Sequence, residues 1–136
     1  MKFISISFAR RGAIMLLSLI FTFHVFVLSG IIPYDMVWGG KLTDPLQMMR
    51  YEGFSTITTL FLLSILLIES GILKLRLSDS LIKILLWLMV LIFALNTFAN
   101  LYSINVIERS FAPVTIVLAL FCVRLALGEK KKTEEI

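Results

Sequence analysis

Four stretches of this chain are too long and too apolar to be left in water. Residues 12–32 carry no charge and a single titratable side chain, His24; residues 53–73 carry one charge, Glu69; residues 84–107 carry none; residues 110–128 carry one, Arg124. A helix needs about 20 apolar residues to cross about 30 Å of hydrocarbon. Inside lipid the backbone must satisfy its own hydrogen bonds, so such segments are helical. The connections between them are short, which makes successive helices antiparallel neighbours. The expected fold is all-α: a four-transmembrane-helix antiparallel bundle forming one domain over residues 1–128, followed by a charged, disordered cytoplasmic tail at 129–136. Composition agrees. The chain is 59% hydrophobic and 16% charged, against about 45–50% and about 25% in soluble domains.

The first apolar run has a basic flank in Lys2, Arg10 and Arg11, as a signal peptide would. It is long, however, and no small-x-small cleavage site follows it at 30–34, so it reads as a retained helix. Lysine and arginine set the orientation. Lys2, Arg10, Arg11, Lys74, Arg76, Lys83, Arg124 and Lys130 to Lys132 fall on one side, and Lys41, Arg50 and Arg109 on the other. The positive-inside rule therefore predicts cytoplasmic termini in an inner membrane. Tyr34, Trp38, Tyr51 and Tyr102 fall at the opposite boundary and read as an aromatic belt. Basic residues gathered at helix ends in this way exclude a nucleic-acid-binding face.

Helix ends are marked locally. Asp44 can cap the second helix, with Pro45 at its first position and Gln47 completing a box. A helix over 45–73 would outrun the hydrocarbon and tilt, or kink at Gly53. Ser78 to Ser80 cap the third helix; Ser110 is expected to cap the fourth, with Pro113 in its first turn. Cys122 has no partner for a disulfide and reads as a small buried apolar residue. No cofactor or metal motif is present in the sequence.

The polar side chains inside the spans limit what the protein does. With the first and third helices running outward, His24 falls near the midplane and Asn96 and Asn100 in the outer half, four residues apart on one face. Glu52, Ser55, Thr58 and Thr59 occupy the outer end of the second helix, and Thr115 lies at similar depth on the fourth. Together with Trp38 on the 30–42 loop, these residues could line one outward-facing polar pocket. Interhelical hydrogen bonding by the asparagines and threonines is the competing expectation. For His24, the expected partners are Asn96, Thr58, Thr59 or a water linked to Glu52. Glu69 and Arg124 lie at matched depth near the cytoplasmic ends of helices two and four, which predicts an ion pair between them. In the loop, Asp35 and Lys41 flank Trp38 and are expected to pair across the Gly39-Gly40 turn.

The runs GIIPYDMVWGGKL, RYEGFS, LNTFANL and FAPVTIVLAL resemble a group of small, uncharacterised bacterial four-helix integral membrane proteins. That resemblance covers most of the chain and implies the architecture and a bacterial inner membrane, but no activity. Small multidrug-resistance transporters carry an acid in their first helix, where this chain has only His24. Emopamil-binding, sterol-isomerase-like proteins share the inventory of His24, Glu52 and Glu69 but not its spacing. Three functions stay open. The leading one is binding of a lipid, a small amphipathic molecule or a membrane-protein partner. The others are proton-coupled transport by a homo-oligomer and isomerase-like lipid modification. Enzymatic action needs two titratable groups within hydrogen-bond reach, which here means His24 and Glu52.

Overall fold

A computed structural model describes residues 3–128; Lys2 and the tail at 129–136 lie outside the described residues. The protein is an all-α bundle of four membrane-spanning helices: α1 (Ile6–Leu28), α2 (Pro45–Glu69), α3 (Asp79–Leu101) and α4 (Val106–Leu127). Two short 3-10 turns, Tyr34–Met36 and Trp38–Gly40, shape the α1–α2 loop.

The ends follow the local chemistry. Ser5 accepts from Phe8 N–H and starts α1 well before the apolar run, so Arg10 and Arg11 are helical. Asp44 accepts from Gln47 N–H, Pro45 takes the first position of α2, and Gln47 Oε1 accepts in return from Thr43 N–H. Helix α2 runs unbroken through Gly53. Ser78 caps α3 by accepting from Leu81 N–H.

The start of α4 departs from expectation. Asn105, not Ser110, is its cap, accepting from Ile107 N–H. Ser110 lies within the helix and donates to Ile107 O. Pro113 is consequently inside α4, where it deprives one carbonyl a turn earlier of its donor on a face turned outward. The apolar run did not reveal this, because the cap Asn105 falls in a segment that hydropathy assigns to the end of the preceding span.

The helices do not pack evenly. α3 lies along α4, α1 lies along both α2 and α4, and α2 barely touches α3. Around the bundle the order is α2, α1, α4, α3, with an open seam between α2 and α3. The α1–α4 seam is tight because Ala9, Gly12 and Ala13 keep the α1 surface low. A Cβ on Gly12 would stand 2.5 Å from the Phe121 ring.

The main core fills the half of the bundle nearest the termini. Leu17, Leu66, Leu86, Met89, Leu118 and Cys122 are buried there, so the sequence reading of Cys122 matches its surroundings. A smaller cluster of Val27, Val37, Leu42 and Met48 fastens the α1–α2 loop to the helix ends. Between the two clusters, at the loop end of the bundle, apolar filling gives way to polar side chains.

Candidate functional site

The site is a cavity of about 740 Å³ in the loop half of the bundle, open along the α2–α3 seam. Its deep end is apolar, with Leu17 and Ile20 from α1, Leu62 from α2, and Ile92 and Phe93 from α3. Nearer the loop the lining turns polar. The structure brings His24, Trp38, Glu52, Thr58, Thr59, Asn96, Asn100 and Thr115 around this one cavity.

Glu52 is the centre of the polar wall. It is 1% exposed, and both carboxylate oxygens are engaged. Oε2 lies 2.8 Å from His24 Nδ1, and Oε1 accepts from the Trp38 indole N–H at 2.7 Å. His24 is thus bound directly to an acid, and not to Asn96, Thr58 or Thr59 as the depths suggested. Its depth also shifts. Because α1 begins at Ile6, His24 stands seven residues, or about 10 Å at 1.5 Å per residue, beyond the middle of its helix.

Trp38 is more than an interfacial anchor. Its φ is +54°, the left-handed region that a tryptophan normally avoids. That conformation costs on the order of 1–2 kcal/mol. It turns the chain back so that the indole reaches Glu52, and the ring also packs on Tyr51 at 5.1 Å. Gly39 and Gly40 continue at positive φ, where glycine costs nothing extra. The loop is tied at a second point: Gly39 N–H donates to Glu108 Oε1 at 2.8 Å, and Ser103 donates to Glu108 Oε2. Asn105 Nδ2 donates to Met36 O as a third tie.

Glu108 and Thr97 escaped the sequence reading. Glu108 is the acid three residues after the cap Asn105, a spacing that marks a helix start and could have revealed it. Thr97 Oγ1 is hydrogen-bonded to Thr115 Oγ1 at 2.8 Å and also donates to Phe93 O, joining α3 to α4. This is the interhelical bond expected of the threonines. Asn96 and Asn100 do not act that way: among the described residues neither side chain is hydrogen-bonded, and both line the cavity. Asp35 and Lys41 do not pair with each other, and among the described residues neither is in an ion pair; Lys41 lines the cavity and Asp35 is exposed.

The ion pair expected between Glu69 and Arg124 does not form. Glu69 is held by Arg10 through two hydrogen bonds of 2.8 Å, Nε to Oε2 and Nη2 to Oε1. Arg124 donates instead to Ile4 O at 2.7 Å and Gly128 O at 3.1 Å. The reason is helix order. α2 has α1 as its neighbour and α4 lies beyond it, so depth alone chose the wrong cation. Among the described residues no group of three His, Cys, Asp or Glu side chains could hold a metal ion.

Comparison with protein-family models, with curated proteins and with solved structures returns no match for this chain.

Proposed function

We propose that the protein binds one small amphipathic molecule or lipid in the α2–α3 cleft, taken sideways from the bilayer. The observation that carries this reading is the cavity's graded lining. Leu17, Leu62 and Phe93 form an apolar floor, and the Asn96 and Asn100 amides, without hydrogen-bond partners among the described residues, stand beside the His24–Glu52 pair at the rim. The volume of about 740 Å³ falls within the usual range for small-molecule sites, about 300–1,000 Å³. Phe54 and Asn96 at the seam are exposed, so the cleft meets the membrane laterally. In this reading the chain is a bacterial inner-membrane protein with cytoplasmic termini, and the cleft lies in the outer leaflet.

The reading can be tested with the two tryptophans. Trp38 borders the cavity, whereas Trp87 is exposed on α3 toward the other end. In the Trp87→Phe protein in nanodiscs, a chain-brominated single-chain amphipath should quench Trp38 saturably. Thr58→Phe, which fills the cleft, should remove the saturable part. Quenching that rises linearly with the probe, as in bulk lipid, refutes the proposal.

One observation favours a second reading, proton exchange with the bound molecule as in an isomerase: His24 and Glu52 are within 2.8 Å and border the cavity. Transport has less support. The packed layer of Leu17, Leu66, Leu86, Met89 and Leu118 lies between the cavity and the termini end.

A further inference from the structure

We infer that the polar end of the ligand is a hydrogen-bond acceptor of the carbonyl class on an otherwise neutral, apolar molecule, recognised by His24 Nε2–H. This deepens the binding reading above and rests on it.

The argument is a count of protons. Nδ1 of His24 and Oε2 of Glu52 are 2.8 Å apart, so one proton lies between them. Trp38 donates to the other oxygen, and indole nitrogen only donates, so Oε1 is an acceptor in every state. The pair then has three states. A neutral carboxylic acid donating to Nδ1 leaves the imidazole proton on Nε2. An imidazolium beside a carboxylate also carries a proton on Nε2. Only a neutral imidazole donating from Nδ1 to a carboxylate leaves Nε2 as an acceptor, and that state has a net negative charge. A net charge in a lipid-facing, low-dielectric wall is costly, whereas both proton placements of the neutral pair avoid it. The other ionisable groups on the cavity do not alter the count. Lys41 and Glu108 are opposite in sign, and Glu108 is already occupied by Gly39 N–H and Ser103.

Nε2 has no hydrogen-bond partner among the described residues, and the His24 side chain is 20% exposed where it lines the cavity. The electroneutral pair therefore presents a donor, wherever its shared proton sits. An acceptor on the ligand satisfies it; an ammonium or a chain without heteroatoms does not. A phosphate head group is also a poor fit, because the cavity has no net positive charge to balance it: the His24–Glu52 pair is electroneutral and Lys41 is offset by Glu108.

The sole histidine makes the premise directly measurable. In protein labelled with 15N-histidine and held in nanodiscs, Nε2 should show the pyrrole-type, protonated shift at neutral pH; a pyridine-type Nε2 overturns the inference. The second measurement compares 2-tridecanone, labelled with 13C at the carbonyl, with n-tridecane. The ketone should bind about tenfold more tightly, the worth of one good hydrogen bond, and its carbonyl stretch should fall on binding. His24→Phe should abolish both effects. Equal binding of ketone and alkane leaves the cleft reading standing and refutes this one. Saturable binding of neither refutes both.

Discussion

Arg10 of α1 and Glu69 of α2 meet in a two-pronged ion pair, each prong 2.8 Å long, at the end of the bundle nearest the termini. Glu69 is well shielded, at 13% exposure, and Arg10 is about a third exposed. Removing Arg10 leaves a shielded carboxylate without its cation. Arg10→Ala should therefore destabilise more than the double change Arg10→Ala with Glu69→Ala, by about 1–2 kcal/mol after allowance for Arg10's solvent contact. Arg124→Ala combined with Glu69→Ala should be additive, since those two side chains do not meet. Reversible unfolding in mixed micelles reads both cycles.

Among the described residues the indole of Trp38 is the only donor on Glu52 Oε1. Trp38→Phe keeps the ring against Tyr51 but strands that oxygen, at a cost of about 1–3 kcal/mol. The same change should loosen the α1–α2 loop, seen as faster amide exchange at 37–41. Unchanged stability together with unchanged exchange would show that the indole bond contributes nothing.

Thr97 and Thr115 bond across the α3–α4 seam. Thr115→Val should cost about 0.6–2 kcal/mol. Adding Thr97→Val should cost less than the same change made alone, because the bond is already lost. Full additivity would mean that each hydroxyl is satisfied by its own helix backbone.

Gly12 faces the Phe121 ring with no room for a methyl group. Gly12→Val should destabilise by about 1–3 kcal/mol, an overpacking cost. Gly53 meets nothing within 4 Å, so Gly53→Ala is the control and should be neutral or stabilising. Equal effects at the two positions would count against the close α1–α4 approach.

Topology has its own test. A reporter that is active only outside the cytoplasm should be silent at the C-terminus and active when inserted at Thr43. The reverse result inverts the assignment of the cleft to the outer leaflet.

The number of helices, the α2 cap and the ring of polar residues were legible because each depends on local composition or on depth along a single axis. Asp44 with Gln47 reads as a helix start whatever surrounds it, and Glu52, Asn100 and Thr115 share the outer half once four antiparallel spans are assumed; His24, read near the midplane, joins them only because α1 begins at Ile6. What depth cannot supply is the order of helices around the bundle. Arg10 and Arg124 both lie near the cytoplasmic ends in the sequence reading, and only the placement of α1 beside α2 decides which of them meets Glu69. The Trp38–Glu52 bond was hidden for another reason. It requires a tryptophan at positive φ, a conformation that local preference argues against and that the surrounding loop ties enforce.

The uneven packing has a consequence for how the molecule comes together. α1 with α2, and α3 with α4, are two helical hairpins, and the chain between them at 70–78 brings its flanking helices into almost no contact. The hairpins become one body chiefly along the strip where Ala9, Gly12 and Ala13 meet the Phe121 side of α4. That seam, the ties of the α1–α2 loop to Glu108 and Asn105 and the bond from Arg124 to Ile4 O are what set one hairpin against the other. A change that crowds the Gly12 strip therefore acts on assembly: each hairpin keeps its own internal packing, while the cleft, which needs walls from both, is the part that is weakened.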